Sequence, residues 1–165
     1  KNLVIMKQII FLRHAKSKRN KHFLDDFNRP LSKKGVMDAI LMSNYLATLI
    51  RKINLVLSSS SQRTKETLKH FYPGNFESIT FTKSLYHADK KFIMKLLANL
   101  DSKNNVVMLV GHNPGLHEAV ETLSKHKITK FPTCALALIS FDKAWKRIEK
   151  KESTLELFLK PSDLR

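Results

Sequence analysis

The chain has 165 residues, 42% of them hydrophobic, which suits one domain over residues 1–165 built on a single sizeable core. Thirty Lys and Arg against 14 Asp and Glu give a net charge of +16, which attracts acidic or phosphorylated partners. No apolar run is long enough to cross a bilayer and no signal peptide stands out, while a lone cysteine, Cys134, excludes an internal disulfide. The expected setting is therefore reducing and cytoplasmic, away from a membrane. The lysines are dispersed, without interleaved aromatics, so the charge reads as a solvated surface and nucleic-acid binding is not expected.

Lys1 to Ile5 precede Met6 and read as a leader ahead of the first strand, residues 7–12. Residues 32–51 read as a long helix with Ser32 as N-cap. A second short strand follows at 54–57. The next helix, 61–71, is stopped by Tyr72-Pro73-Gly74-Asn75. Residues 78–82 form a weaker strand. Residues 90–100 form an amphipathic helix with Ile93, Leu96, Leu97 and Leu100 on one face, opened by Asp89 as N-cap. The apolar run 106–110 has the character of a central parallel strand. Asn113 then serves as an N-cap before Pro114, and Leu116, Ala119, Val120 and Leu123 make the stripe of another helix. Thr133 to Ala137, with Cys134, read as buried strand. Residues 135–141 and 154–159 are the last two strands, the final one half exposed.

Strands alternating with helices predict an α/β fold: a three-layer sandwich with a mostly parallel central sheet and helices on both faces. Ligands in such sheets gather at the carboxyl ends of the strands. His14 follows the first strand, Arg63 opens the helix after the second, and His112 follows the strand 106–110, so all three are expected at one edge. Phosphoryl transfer needs an in-line nucleophile and positive donors around the equatorial oxygens. A neutral His14 imidazole can attack phosphorus through one nitrogen while the other donates to a carbonyl that fixes the tautomer. Arg13 and Arg63 supply guanidinium forks, the latter helped by its helix N-terminus, and His112 supplies a further donor. Seven histidines raise the question of a metal. His112 and His117 lack i, i+4 spacing and no carboxylate cluster completes a site, so no metal and no cofactor is expected.

These segments resemble the histidine phosphatase superfamily, the phosphoglycerate mutase-like group, and within it the SixA-type phosphohistidine phosphatases. Leu12 to Ser17 is similar to the segment carrying the nucleophile. Asp26 to Leu31 with Gly35 is similar to the entry into the first helix, and Ser58 to Thr67 to the serine-to-arginine motif, with Ser60 where proline is common. Leu85 to Ala88, Val110 to Gly115, Phe131 to Phe141 and Leu159 to Leu164 match later segments, so most of the chain is covered. The resemblance implies transfer of the phosphoryl group to His14 and release by water, with Arg13, Arg63 and His112 forming the phosphate pocket. Arg29 is implied as an added phosphate contact, whereas Ser17 and Asn20 are not expected to be essential. Mutase-like branches carry an acidic proton donor between positions corresponding to Leu85 and Asp89. Here only His87, a candidate cleft residue or proton donor, and the capping Asp89 are available. An imidazole leaving group can be protonated on its own nitrogen, so a protein acid is needed less than for an alkoxide.

The short segments between Leu85 and His112 leave no room for a large cap insertion, which implies an open cleft. The leading expectation is hydrolysis of phosphohistidine in proteins, with a phosphorylated histidine-containing phosphotransfer protein or domain as partner. A general small-molecule phosphomonoesterase on the same site is the enzymatic rival, and a non-catalytic polyanion-binding module is the other.

Overall fold

The computed structural model describes residues 5–19, 25–71, 76–142, 144–150 and 152–165. Apolar runs take the positions a buried sheet requires. The elements are β1 (Lys7–Arg13), α1 (Lys33–Leu49), β2 (Leu55–Ser59), α2 (Gln62–His70), β3 (Ile79–Thr82), α3 (Lys90–Ala98), β4 (Val106–Gly111), α4 (Gly115–Ser124), β5 (Leu136–Phe141) and β6 (Thr154–Leu159). Short 3-10 turns cover Lys83–Leu85, Trp145–Lys150 and Pro161–Asp163. The stop at Tyr72 to Asn75 lies outside the described residues, as do residues 1–4 of the leader.

The six strands form one sheet in the order β3-β2-β4-β1-β5-β6. β1 pairs in parallel with β4, Phe11 opposite Leu109, and antiparallel with β5. β2 runs parallel to β3 and β4. β6 runs antiparallel to β5, so β5 alone opposes the other strands. Alternation along the strands builds two cores. Ile9, Phe11, Val107 and Leu109 face α3 and α4, while Ile10, Leu12, Met108 and Val110 face α1 and α2. Period-two side chains between two helical layers account for strands apolar at every position.

Ser32 and Asp89 cap their helices: the Ser32 hydroxyl accepts from the Gly35 amide at 3.0 Å and the Asp89 carboxylate from the Phe92 amide at 2.8 Å. α1 ends at Leu49 because Ile50 turns extended and buries its side chain. β2 runs on through Ser58 and Ser59, both fully buried, because their hydroxyls find nearby partners.

Two local expectations are corrected. Asn113 is not an N-cap: its side-chain amide donates to the Phe131 carbonyl at 2.9 Å, Pro114 takes the cap position, and the peptide joining them is cis. Cys134 is buried but lies in a turn with φ 62°, ahead of β5. That left-handed bend turns its amide toward the Arg13 and His14 carbonyls, at 3.2 and 3.0 Å. The thiol is pushed up to about 12, chiefly by burial.

Candidate active site

The carboxyl ends of β1, β2 and β4 meet beside one another because those strands are adjacent and parallel. Arg13 lies in register with Gly111, and the His14 amide donates to the Gly111 carbonyl at 3.2 Å. A cavity of about 350 Å³ opens there, lined by Arg13, His14, Lys16, Ser17, Arg29, Arg63, His87, His112, Asn113 and Thr133. The lining contains no Asp or Glu. The structure thus brings together His14, Arg13, Arg63 and His112, with Arg29 and His87 at the same cavity.

His14 is buried, with its Nδ1 2.8 Å from the Ala15 carbonyl oxygen. A carbonyl only accepts, so Nδ1 carries the proton and Nε2 keeps its lone pair. Arg63 donates to Nε2 from its Nε at 3.3 Å. Burial, then His112, Arg63 and Arg13, push the His14 pKa well below 6.5 against the opposing Ala15 bond, so the ring is neutral at neutral pH. His112 lies 5.1 Å away between ring centroids. Its Nε2 is 2.9 Å from the Ser59 hydroxyl and its Nδ1 3.4 Å from Arg63 Nη2. Burial first, and the Arg63 charge second, lower its pKa to about 3.

Arg63 emerges from the first turn of α2 with each guanidinium nitrogen making at least one contact. Nη1 donates to the Asp26 carbonyl at 2.8 Å and Nη2 to the Asp26 carboxylate at 3.0 Å, and the guanidinium carbon stands 5.6 Å from the centre of the Tyr86 ring. Asp26 also takes Arg29 at 2.7 Å and the Tyr86 hydroxyl. Its carboxyl is held well below the usual range by the Tyr86 and Arg29 bonds and by Arg63, against a burial effect of opposite sign. One carboxylate therefore sets two arginines. Arg29 donates its other nitrogen to Ser17, and Arg13 donates Nη1 to the Phe131 carbonyl at 2.9 Å. Burial and Arg63 lower the Arg13 pKa. His87 is exposed at the cavity mouth, its ring against Tyr86 at 3.9 Å. Asn20 lies outside the described residues. Among the described residues no group of three His, Cys, Asp or Glu could hold a metal ion.

Sequence reasoning did not single out Asp26, Ser59, Tyr86 or Thr67. All four stand inside segments noted for their motifs, but their roles depend on contacts far along the chain. The Thr67 hydroxyl accepts from the Ala15 amide at 2.9 Å and donates to the Arg63 carbonyl at 2.7 Å, so one side chain ties the loop after His14 to α2. Close backbone approach supports the same loops. A Cβ on Gly35 would lie 2.1 Å from the Lys16 carbonyl oxygen, and one on Gly115 2.0 Å from that of Ala88. Chemically, the arrangement presents a neutral imidazole lone pair inside a small, strongly cationic cavity, which suits attack on a tetrahedral oxyanion.

A sequence model of the histidine phosphatase superfamily (branch 1) matches residues 9–89. An uncharacterised chloroplastic protein of Arabidopsis thaliana is 36% identical over 154 residues, spanning 86% of this chain and 70% of its own. A candidate phosphohistidine phosphatase SixA of Agrobacterium tumefaciens superposes with a TM-score of 0.80 at 26% identity, over 94% of this chain and 98% of that one. The protein histidine phosphatase SixA complexed with tungstate superposes with a TM-score of 0.81 at 23% identity, over 96% of this chain and 99% of that one. No helix among the described residues is long and apolar enough to cross a membrane.

Proposed function

The chain belongs to the histidine phosphatase superfamily, and on that footing we propose that it hydrolyses phosphohistidine in proteins through a phosphohistidine formed on its own His14. The observation that carries this reading is the His14 ring, buried and neutral, with Nδ1 bonded to the Ala15 carbonyl and Nε2 facing Arg63 in a cavity lined by cations. The likeness to a SixA complexed with tungstate, a phosphate-shaped oxyanion, supports it.

In the first step the Nε2 lone pair forms a bond to phosphorus while the bond to the substrate's imidazole nitrogen breaks. The substrate ring takes a proton from solvent on its second nitrogen before the P–N bond breaks, so it leaves as neutral imidazole and no protein acid has to supply the proton. Arg13, Arg63 and Arg29 hold the equatorial oxygens, and the neighbouring guanidinium groups keep His14 neutral and ready to attack. His112 orients Arg63 toward the phosphoryl group: its Nδ1 faces Arg63 Nη2, which only donates, so Nδ1 keeps its lone pair and Nε2 donates to the Ser59 hydroxyl. In the second step water displaces His14 from phosphorus, which frees the imidazole and releases inorganic phosphate. The chemistry uses no metal, since arginines and imidazoles supply the charge stabilisation. The segments 83–89 and 99–105 are short, so the cavity stays reachable by a phosphorylated phosphotransfer protein or domain.

The test is single-turnover labelling with a phosphoramidate-phosphorylated phosphotransfer domain, alongside rates on an aryl phosphate. Transient acid-labile label on His14, its loss in His14→Ala and faster turnover of the phosphoprotein are expected. Faster turnover of the aryl phosphate would move the assignment to a small-molecule phosphomonoesterase, and absence of label with retained turnover would sink the covalent route.

A further inference from the structure

A second cavity, of about 530 Å³, lies between the α4–β5 connection and the edge strand β6. His126, Lys127, Lys130 and Lys160 line it, and no Asp or Glu does. Among the described residues, Lys160 pairs with Asp163 at 3.9 Å, and the Glu121 carboxylate accepts from the Ile128 amide at 2.8 Å. Its apolar part is Ile128 from the connection and Leu155 and Phe158 from β6. Lys127 and Lys130 are exposed. The groove is coupled to the phosphate pocket through Phe131. That residue's ring packs on Phe158 at 5.2 Å, while its carbonyl accepts from Arg13 and Asn113, both at 2.9 Å. Lys130 and Thr133 belong to the two cavities and are three residues apart, which places them within about 10 Å along the backbone.

We propose that this groove docks an acidic segment of the phosphoprotein substrate beside the phosphorylated residue, a reading that rests on the phosphatase function above. The exposed Lys127 and Lys130 select carboxylates, and the apolar wall of Ile128, Leu155 and Phe158 selects a protein segment over a phosphodiester backbone. Lys130, within about 10 Å of Thr133 along the backbone, also acts at about one Debye length from the pocket at about 0.1 M salt, so it helps steer the encounter.

The test uses the full chain carrying K127E and K130E, neither residue being part of the phosphate pocket. Substrates are an acidic phosphotransfer domain phosphorylated with phosphoramidate, the same domain with its acidic residues near the phosphohistidine changed to Asn and Gln, and an aryl phosphate. The expected result is a roughly tenfold rise in KM for the acidic domain with kcat little changed, and aryl phosphate hydrolysis within about twofold of the parent. The parent should lose the same advantage for the acidic domain when salt rises from about 0.05 to 0.3 M. Equal KM values for the acidic domain in parent and variant would overturn the proposal. So would a parallel fall on aryl phosphate, or a variant that loses only duplex DNA or anionic-vesicle binding. Binding of the unphosphorylated acidic domain to a His14→Ala chain, with and without K127E and K130E, keeps the groove and the chemistry separable. If the parent hydrolyses no phosphohistidine yet binds that domain through Lys127 and Lys130, the functional assignment falls and the groove stands.

Discussion

Two arginines at the His14 cavity, Arg63 and Arg29, converge on the Asp26 carboxylate, joined there by the Tyr86 hydroxyl. Removing the carboxylate's charge leaves the arginines chemically intact but unfixed. Asp26→Asn should therefore lower kcat/KM by about one to two orders of magnitude, and Asp26→Glu should recover part of the loss, as steady-state kinetics on the phosphoprotein would show. Parent-like kinetics for Asp26→Asn would assign the carboxylate to the surface and not to the arginines. Asp26 also marks where sequence reading stops. Arg13, His14, Arg63 and His112 are visible because each follows a strand whose apolar pattern gives its end. Asp26 acts through partners 37 and 60 positions away, and no local pattern encodes such contacts. The Asn113 cap fails for a related reason: an amide with a better partner at Phe131 does not stay at the helix end.

At the scale of elements, the strand and helix order was legible because core-facing periodicity governs both. Among the described residues six strands and four helices occur in the expected order, and Thr154–Leu159 occurs with its expected bounds. The hydroxyl-rich end of β2 and the bend at Cys134 were not legible. Ser58 is satisfied by the neighbouring Ser59 carbonyl and Ser59 by His112 from 53 residues away, a contact no local pattern encodes, and a positive φ at a non-glycine residue carries no compositional signal. Helix placement around the cavity relies on contacts that admit no side chain. Gly115 begins α4 against the Ala88 carbonyl, so Gly115→Ala must displace either the helix start or the 86–89 segment. Backbone is a poor yielder, and the variant should lose about 2 to 4 kcal/mol of stability with a rise in KM, measured by urea unfolding and kinetics. An unchanged midpoint would mean that the segment relaxes freely.

For the whole molecule, two buried neutral imidazoles link stability to pH. Above about 6.5 both rings are neutral folded or unfolded, and they contribute no pH dependence. Below that value the unfolded chain takes up protons, while folded His112 resists until about 3 and His14 remains well below its ordinary value. The unfolded state is thereby favoured, so stability falls as pH drops from about 6.5 toward 3. The urea midpoint should be lower at pH 5 than at pH 7.5, and the difference should shrink in a His14→Gln, His112→Gln chain. A midpoint independent of pH would contradict the burial of these rings.

β1, the strand that delivers Arg13 and His14, lies at the centre of the sheet, yet both of its neighbours, β4 and β5, come late in the chain. During translation the buried apolar run Ile9 to Leu12 leaves the ribosome long before either flank exists to cover it. Until β4 arrives, His14 and His112 cannot share a cavity, so a stalled or truncated nascent chain has no assembled centre and offers chaperones a bare apolar ribbon.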